Sequence, residues 1–412
     1  MKKLEAYHDE IKHCIRCGAC QAVCPVFEVM EREMAVARGR LRLIREALEG
    51  KLDLTDKMRD YIDLCVGCRI CVDNCPAKVN TDQIVIGARH KYVDVKGLPF
   101  LHRIMLEQIL SKKGNFNMAL KSLGLARGTR LNKLLPEQLK KKEEILPTIP
   151  QRTFVQKMKE MTFDTGAPKK VGFFLSCMDN FMFPEVVEAA IMVLQNNDWD
   201  IVIPSDVNCC GAPHHVYGDW ETAAKLAKKN IEAFQDAEVD YIITDCATCG
   251  SVLKEYGEML SGDSLELKGK EFAAKIMDIN AFLIDVVKIK PGQNKVSQTV
   301  TYHDPCHLVR HQKVSKQPRE ILLAVESVEF RECNDADRCC GGAGTYNINH
   351  YDVSMKILDK KIENIKNTGA DILATSCPAC RIQLGYGMRR AGLNNTVVHP
   401  VELLARSYEQ KD

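Results

Sequence analysis

Through the second half of the chain, short apolar runs alternate with stretches of helical periodicity. Val171 to Leu175 is an apolar run of strand length, and Val186, Ala190, Val193 and Leu194 then recur at helix spacing. Asp200 to Ile203 reads as a second strand stopped at Pro204. Ala223, Leu226, Ala227, Asn230 and Ile231 mark the next helix, and Val239 to Ile243 a third strand. The order β-α-β-α-β predicts a mostly parallel sheet, whose sites form beyond the carboxyl ends of its strands. The N-terminal part lacks this alternation. Leu43, Ile44, Ala47 and Leu48 mark one helix there, and Leu101, Ile104, Met105 and Ile109 give another an apolar face.

The strand–helix pattern occurs twice. Cys177-x31-Cys209-Cys210-Gly211-x34-Cys246-x2-Cys249 is followed by Cys306-x32-Cys339-Cys340-Gly341-x35-Cys377-x2-Cys380. The repeat length is near 130 residues, far above that of a solenoid. Flanking text repeats as well: Val171-Gly-Phe-Phe-Leu-Ser-Cys177 parallels Val300-Thr-Tyr-His-Asp-Pro-Cys306. Two similar α/β domains packed with pseudo-two-fold symmetry are expected. Each cysteine block sits where strands end.

Composition narrows the class. The 412 residues are 45% hydrophobic and 27% charged, which excludes a disordered chain, a collagen and a coiled-coil rod. A net charge of +2 makes nucleic acid an unattractive partner. The charge is uneven, however. Residues 101–142 carry ten Lys/Arg (Arg103, Lys112, Lys113, Lys121, Arg127, Arg130, Lys133, Lys140, Lys141, Lys142) against Glu107 and Glu137. This basic stretch is read as a helical linker, or as a surface for anionic lipid or an acidic partner. The first residues carry no apolar signal-peptide core, and no apolar run approaches ~18 residues. A cytoplasmic location is expected, with peripheral attachment to the inner face of the membrane as the membrane option.

Cysteine is the outlier, with 19 residues. In a cytosolic chain, such a count signals metal or redox work rather than disulfides. Two further motifs lie near the N-terminus: Cys14-x2-Cys17-x2-Cys20-x3-Cys24-Pro25 and Cys65-x2-Cys68-x2-Cys71-x3-Cys75-Pro76. In two-cluster ferredoxins the fourth cysteine of each such run serves the other cluster. One [4Fe–4S] cluster is therefore assigned to Cys14, Cys17, Cys20 and Cys75, and a second to Cys65, Cys68, Cys71 and Cys24. A pair of zinc knuckles is the competing reading, but four-cysteine zinc sites usually use two separated CxxC pairs. The segment between the motifs holds Arg38-Gly39-Arg40. Its arginines form a solvated helix face or offset cluster charge.

The repeated blocks supply five thiolates each, one more than a cubane's four iron corners accept. Either one cysteine is free or a thiolate bridges two irons, and the adjacent pairs Cys209-Cys210 and Cys339-Cys340 suit bridging. Zinc and, for Cys377-Pro378-Ala379-Cys380, a thioredoxin-type redox pair compete with iron–sulfur. His214, His215, His303 and His307 either donate protons near a cluster or are satisfied lining residues. Cys333 fits no pattern and reads as a buried free thiol. Gly341-Gly342-Ala343-Gly344 lacks the dinucleotide-binding spacing. No P-loop, flavin or nicotinamide site is recognisable.

Taken together, the motifs resemble the CCG-domain iron–sulfur proteins. These include the iron–sulfur subunit of glycolate oxidase or lactate dehydrogenase, the C subunit of anaerobic glycerol-3-phosphate dehydrogenase, and the D subunit of heterodisulfide reductase. Arg38-Gly39-Arg40, His303-Asp304-Pro305-Cys306 and Cys339-Cys340-Gly341-Gly342-Ala343-Gly344-Thr345-Tyr346 favour the glycolate/lactate type. The resemblance implies an iron–sulfur electron-transfer subunit. An FAD-containing dehydrogenase subunit oxidises a 2-hydroxy acid, and a quinone, an electron-transfer flavoprotein or a membrane subunit accepts the electrons. It also implies one or two further [4Fe–4S] clusters, non-cubane in the disulfide-reductase branch, on Cys177, Cys209, Cys210, Cys246 and Cys249 and on Cys306, Cys339, Cys340, Cys377 and Cys380. No flavin of its own is expected. The completeness of both blocks also fits a catalytic heterodisulfide reductase with paired non-cubane clusters. The expected fold is α+β and multidomain. A mostly helical two-[4Fe–4S] ferredoxin-like domain (1–100) and a basic helical linker (101–166) precede two duplicated α/β CCG domains (167–290 and 291–412) related by pseudo-two-fold symmetry.

Overall fold

The computed structural model describes residues 3–127 and 137–409. Arg130 and Lys133 of the basic stretch lie outside the described residues. Two four-stranded, fully parallel sheets carry the C-terminal two-thirds. The first joins β1 (Lys169–Phe173), β2 (Trp199–Val202), β3 (Ile242–Thr244) and β4 (Ile276–Asp278) in the order β2-β1-β3-β4. The second joins β5 (Gln298–Tyr302), β6 (Val328–Phe330), β7 (Ile372–Ala374) and β8 (Thr396–Val398) in the matching order β6-β5-β7-β8.

The three expected strands of the first repeat are present, shifted by up to three residues. The fourth strand of each sheet has no counterpart in the hydrophobic pattern. β4 and β8 have three residues each, too few to display a period, and they pair only because β3 and β7 offer a free edge.

The helices follow the pattern read from the sequence. Pro184–Gln195 starts on a proline at its first turn and buries Val186, Val187, Ala190, Ile191, Val193 and Leu194. It is apolar nearly all round because it packs on Pro400–Arg406 of the other repeat. Trp220–Ala233 is capped by Asp219, whose carboxylate accepts the Thr222 amide at 3.2 Å, and buries one stripe. One hydrophobic core runs through both repeats, from Val171 and Phe173 to Val300, Leu373 and Leu404.

The N-terminal region is helical, with 12 residues in Ala37–Leu48 and 16 in Thr81–Lys96. It rests on both repeats. Arg89 donates to the Val216 carbonyl at 3.2 Å, and His90 stacks on Trp220 at 3.7 Å. On the other side Glu28 pairs with Lys360 at 2.8 Å and with Arg338.

The apolar face expected at Leu101, Ile104, Met105 and Ile109 is not the one that packs. Leu106 is fully buried, whereas Leu101 is 76% exposed. A π-helical turn over Ile104–Leu110 breaks the 3.6-residue period and turns Leu106 inward. Among the described residues, no helix is long and apolar enough to cross a membrane.

Candidate metal centres

All nineteen cysteines are unbridged. Eighteen of them gather in four sets. Cys14, Cys17, Cys20, Cys71 and Cys75 all line one cavity. Cys24 has Cys65 as a charge neighbour, and Cys71 has both Cys65 and Cys24. Cys68 completes this second set, with Cys71 and Cys24 as neighbours. Cys75 thus lies beside Cys14, Cys17 and Cys20, and Cys24 beside Cys65, Cys68 and Cys71, while Cys20 also has Cys24 as a charge neighbour, so the two sets adjoin. Cys24 caps the helix Pro25–Met30, its Sγ accepting the Phe27 amide at 3.5 Å. That proline-started turn carries Cys24 across to the other motif.

Arg40 stands beside this second set. It is 2% exposed, donates from Nε to the Tyr61 carbonyl at 3.0 Å, and its charge lowers the pKa of Cys24 and Cys71 against the upward push of burial. A solvated helix face does not describe this residue. In a run of arginines, no sequence signal marks which one turns inward.

In both repeats, the cysteines follow the strand ends, around the switch point between β1 and β3 and between β5 and β7. Cys177 opens a helix capped by Ser176 just after β1, and Cys306 follows β5. The Cys-Cys-Gly turns need their glycines, since Gly211 and Gly341 have φ of 87° and 83°. Cys246 caps the helix after β3, and its Sγ accepts the Cys249 amide at 3.4 Å.

The thiols of each repeat adjoin one another in succession. Cys177, Cys209, Cys210, Cys249 and Cys246 form one succession, and Cys306, Cys339, Cys340, Cys380 and Cys377 the other. The two successions meet, because Cys246 reaches Cys377. The Thr248 hydroxyl lies 3.4 Å from Cys377 Sγ, and the Ala247 amide donates to the Ser376 carbonyl at 3.1 Å. The second repeat also abuts the N-terminal region. Cys68 has Cys339 as a charge neighbour, Cys306 has Cys68, and all three share one buried core with Cys24.

Hydrogen bonds from neighbouring thiols pull Cys209, Cys339 and Cys377 well below the ordinary thiol range, led by Cys177, Cys306 and Cys246 respectively. Burial and thiol neighbours push the others up. Soft donors crowded away from water, with some held as thiolates, suit a shared cationic centre and fit iron–sulfur chemistry.

The histidines separate into different roles. His214 Nε2 meets the Leu106 carbonyl and the Ser111 hydroxyl, each at 3.0 Å, and the ring faces Cys209. His215 pairs with Glu255 at 3.4 Å. His307 Nδ1 lies 3.6 Å from Cys306 Sγ and stacks on His311. His303 is buried beside Cys340 and Cys380. Cys333 is buried apart from all four sets, its thiol donating to the Asn334 carbonyl at 3.3 Å.

Sequence reasoning misses a group of buried acids. Asp179 and Asp245 lie together next to Cys177 and Cys246. Burial pushes the Asp179 carboxyl up to about 7 and Asp245 well above the carboxylate range. The placement of each acid within two residues of a cysteine is visible in the sequence, but their burial is not.

Comparison with known proteins fits this geometry. The cysteine-rich CCG domain matches residues 171–254 and 300–385, and the 4Fe-4S dicluster domain matches 10–79. The chain is 32% identical to the probable glycolate oxidase iron-sulfur subunit of Bacillus subtilis, over 98% of its own length and 95% of that protein. It is 26% identical to the B subunit of the fumarate reductase (CoM/CoB) of Methanothermobacter marburgensis, over 98% of its length and 74% of that protein. A crystal structure of a hypothetical protein from Helicobacter pylori covers 91% of this chain and 68% of its own, with a TM-score of 0.54 at 10% identity, a likeness of fold alone.

Proposed function

The chain belongs to the family of glycolate oxidase iron–sulfur subunits, and from that premise we propose that it is the electron-transfer subunit of a flavin-linked 2-hydroxy-acid dehydrogenase of the glycolate or lactate type. An FAD-containing partner oxidises the hydroxy acid, and a quinone or another carrier takes the electrons. Cys14, Cys17, Cys20 and Cys75 hold one [4Fe–4S] cluster, and Cys65, Cys68, Cys71 and Cys24 a second. Each five-cysteine block holds a further one. When bound, such clusters supply one-electron carriers.

The observation that carries this reading is the continuity of the donor sets. Cys71 lines the cavity of the first N-terminal set, Cys68 meets the second repeat at Cys306 and Cys339, and Cys377 meets Cys246 of the first. Cys17 is exposed at one end and Cys177 half-buried at the other, while Cys209, Cys246, Cys339 and Cys377 are buried and Cys65 and Cys71 of the N-terminal pair are half-buried. A relay needs reach at its ends and exclusion of water between them. Equal strand orders, and contact between the equivalent residues Cys246 and Cys377, support a pseudo-two-fold relation between the repeats.

Anaerobic mixing experiments test the assignment. The purified chain alone leaves glycolate and lactate unoxidised, and its visible absorbance bleaches when the co-purifying flavoprotein and hydroxy acid are added. Oxidation of either acid by the isolated chain contradicts it.

A second reading, catalytic disulfide reduction at paired centres, draws on the Cys246–Cys377 contact, which puts two complete five-thiol blocks together. The burial of both thiols weighs against a bulky disulfide reaching them. Turnover of a low-molecular-weight disulfide by the reduced chain is what this reading requires, and no turnover removes it.

A further inference from the structure

The two repeats differ in chemistry three residues before their first cysteine. Aligning Cys177 with Cys306 puts Phe174 opposite His303. Phe174 is fully buried and His303 is 1% exposed. In the first repeat the phenyl ring packs in one apolar cluster with Cys210, Cys246 and Cys249. In the second repeat an imidazole nitrogen of His303 lies within 4.8 Å of the Sγ atoms of Cys340 and Cys380.

That imidazole has no hydrogen-bond partner at either nitrogen. The Ala336 carbonyl lies beside the ring, but it already accepts the Asp304 amide and the Lys361 ammonium, each at 3.0 Å. Leaving a buried polar group unpaired costs about 1–3 kcal/mol. Phe174 shows that the fold accepts a phenyl ring at this position without that cost. A buried imidazole with no other partner and a nitrogen within 4.8 Å of two thiols is available as a metal donor.

We propose that His303 is a nitrogen donor to the metal centre of the second repeat, which thereby carries an imidazole besides its five thiolates and differs from the all-thiolate centre of the first. The inference rests on the reading that Cys306, Cys339, Cys340, Cys377 and Cys380 hold an iron–sulfur cluster.

Pulsed EPR of the anaerobically purified, reduced holoprotein tests this. Unlabelled protein is expected to show nitrogen coupling of the size given by a directly bound imidazole, and labelling with [15N]histidine converts it to the 15N pattern. His303→Phe, which copies the first repeat, and His303→Gln are both expected to lose the coupling and to shift the centre's potential while iron content holds. The labelling arm needs no variant, so a folding defect in either substitution does not remove the test. Full iron content without histidine coupling, or coupling that survives in the variants, overturns this inference alone. Iron sufficient for only the N-terminal pair overturns the underlying cluster assignment, and this inference with it.

Discussion

The Thr248 hydroxyl lies 3.4 Å from Sγ of Cys377, so the CxxC turn of one repeat touches a thiol of the other. Thr248→Val removes that hydroxyl at nearly constant shape. A hydrogen bond of about 1 kcal/mol, converted at about 59 mV per tenfold for one electron, corresponds to a fall of about 40 mV in the potential of the second repeat's centre. Redox titration followed by EPR reads the shift. An unchanged potential would mean that the hydroxyl does not act on Cys377.

Arg40 puts a buried positive charge beside Cys24 and Cys71. Arg40→Met is expected to lower the potential of the second N-terminal cluster by on the order of 50 mV, with Arg40→Lys between it and the parent. Titration of the EPR signals assigned to the N-terminal pair checks the order of the three proteins.

Gly218 sits where the N-terminal region meets the first repeat. Its φ is +89°, and an added Cβ would lie 2.7 Å from backbone atoms of Arg89 and His90. Left-handed strain and overpacking together predict that Gly218→Ala destabilises the chain by about 2–5 kcal/mol. The loss should fall on the contact between the helix Thr81–Lys96 and the loop it rests on. Hydrogen exchange of that helix, compared with exchange in β5 and β7, distinguishes local release from global destabilisation.

Asp278 supplies a pH dependence. Burial pushes its carboxyl up to about 6, against hydrogen bonds from Asn280 that pull it down. The folded chain therefore keeps a proton that the unfolded chain releases near pH ~4. The stability linked to this proton is full below that pH and is lost as pH rises through about 6, a change of about 3 kcal/mol in all. Asp278→Asn keeps the acceptor used by Asn280 and removes the titration. Its gain in urea stability should be larger at pH 8 than at pH 5 by about 1 kcal/mol, and an equal gain at both would refute the assignment.

Much of this architecture is legible in the sequence because it is local. Cysteine spacing, the Cys-Cys-Gly turns and the strand–helix alternation each lie within a few turns of chain, and the duplication shows in the repeated text. What escapes is non-local or too short. β4 and β8 have three residues each, and the turn at Ile104–Leu110 leaves the helical period, so Leu106 carries no signal of its burial. The approach of Cys246 to Cys377 comes from packing between repeats, which no spacing encodes. The exchange of Phe174 for His303 is plain once the repeats are aligned. Only the structure shows that the imidazole is left without a partner and turned toward two thiols.

Whether the four cysteine sets all hold iron is decided by iron, acid-labile sulfide and zinc analysis of the chain purified without oxygen. Four clusters give about sixteen iron and about sixteen sulfide per chain, with zinc near zero. About eight iron with zinc in the repeats, or a colourless and iron-poor protein, would contradict a relay that runs from Cys17 to Cys177.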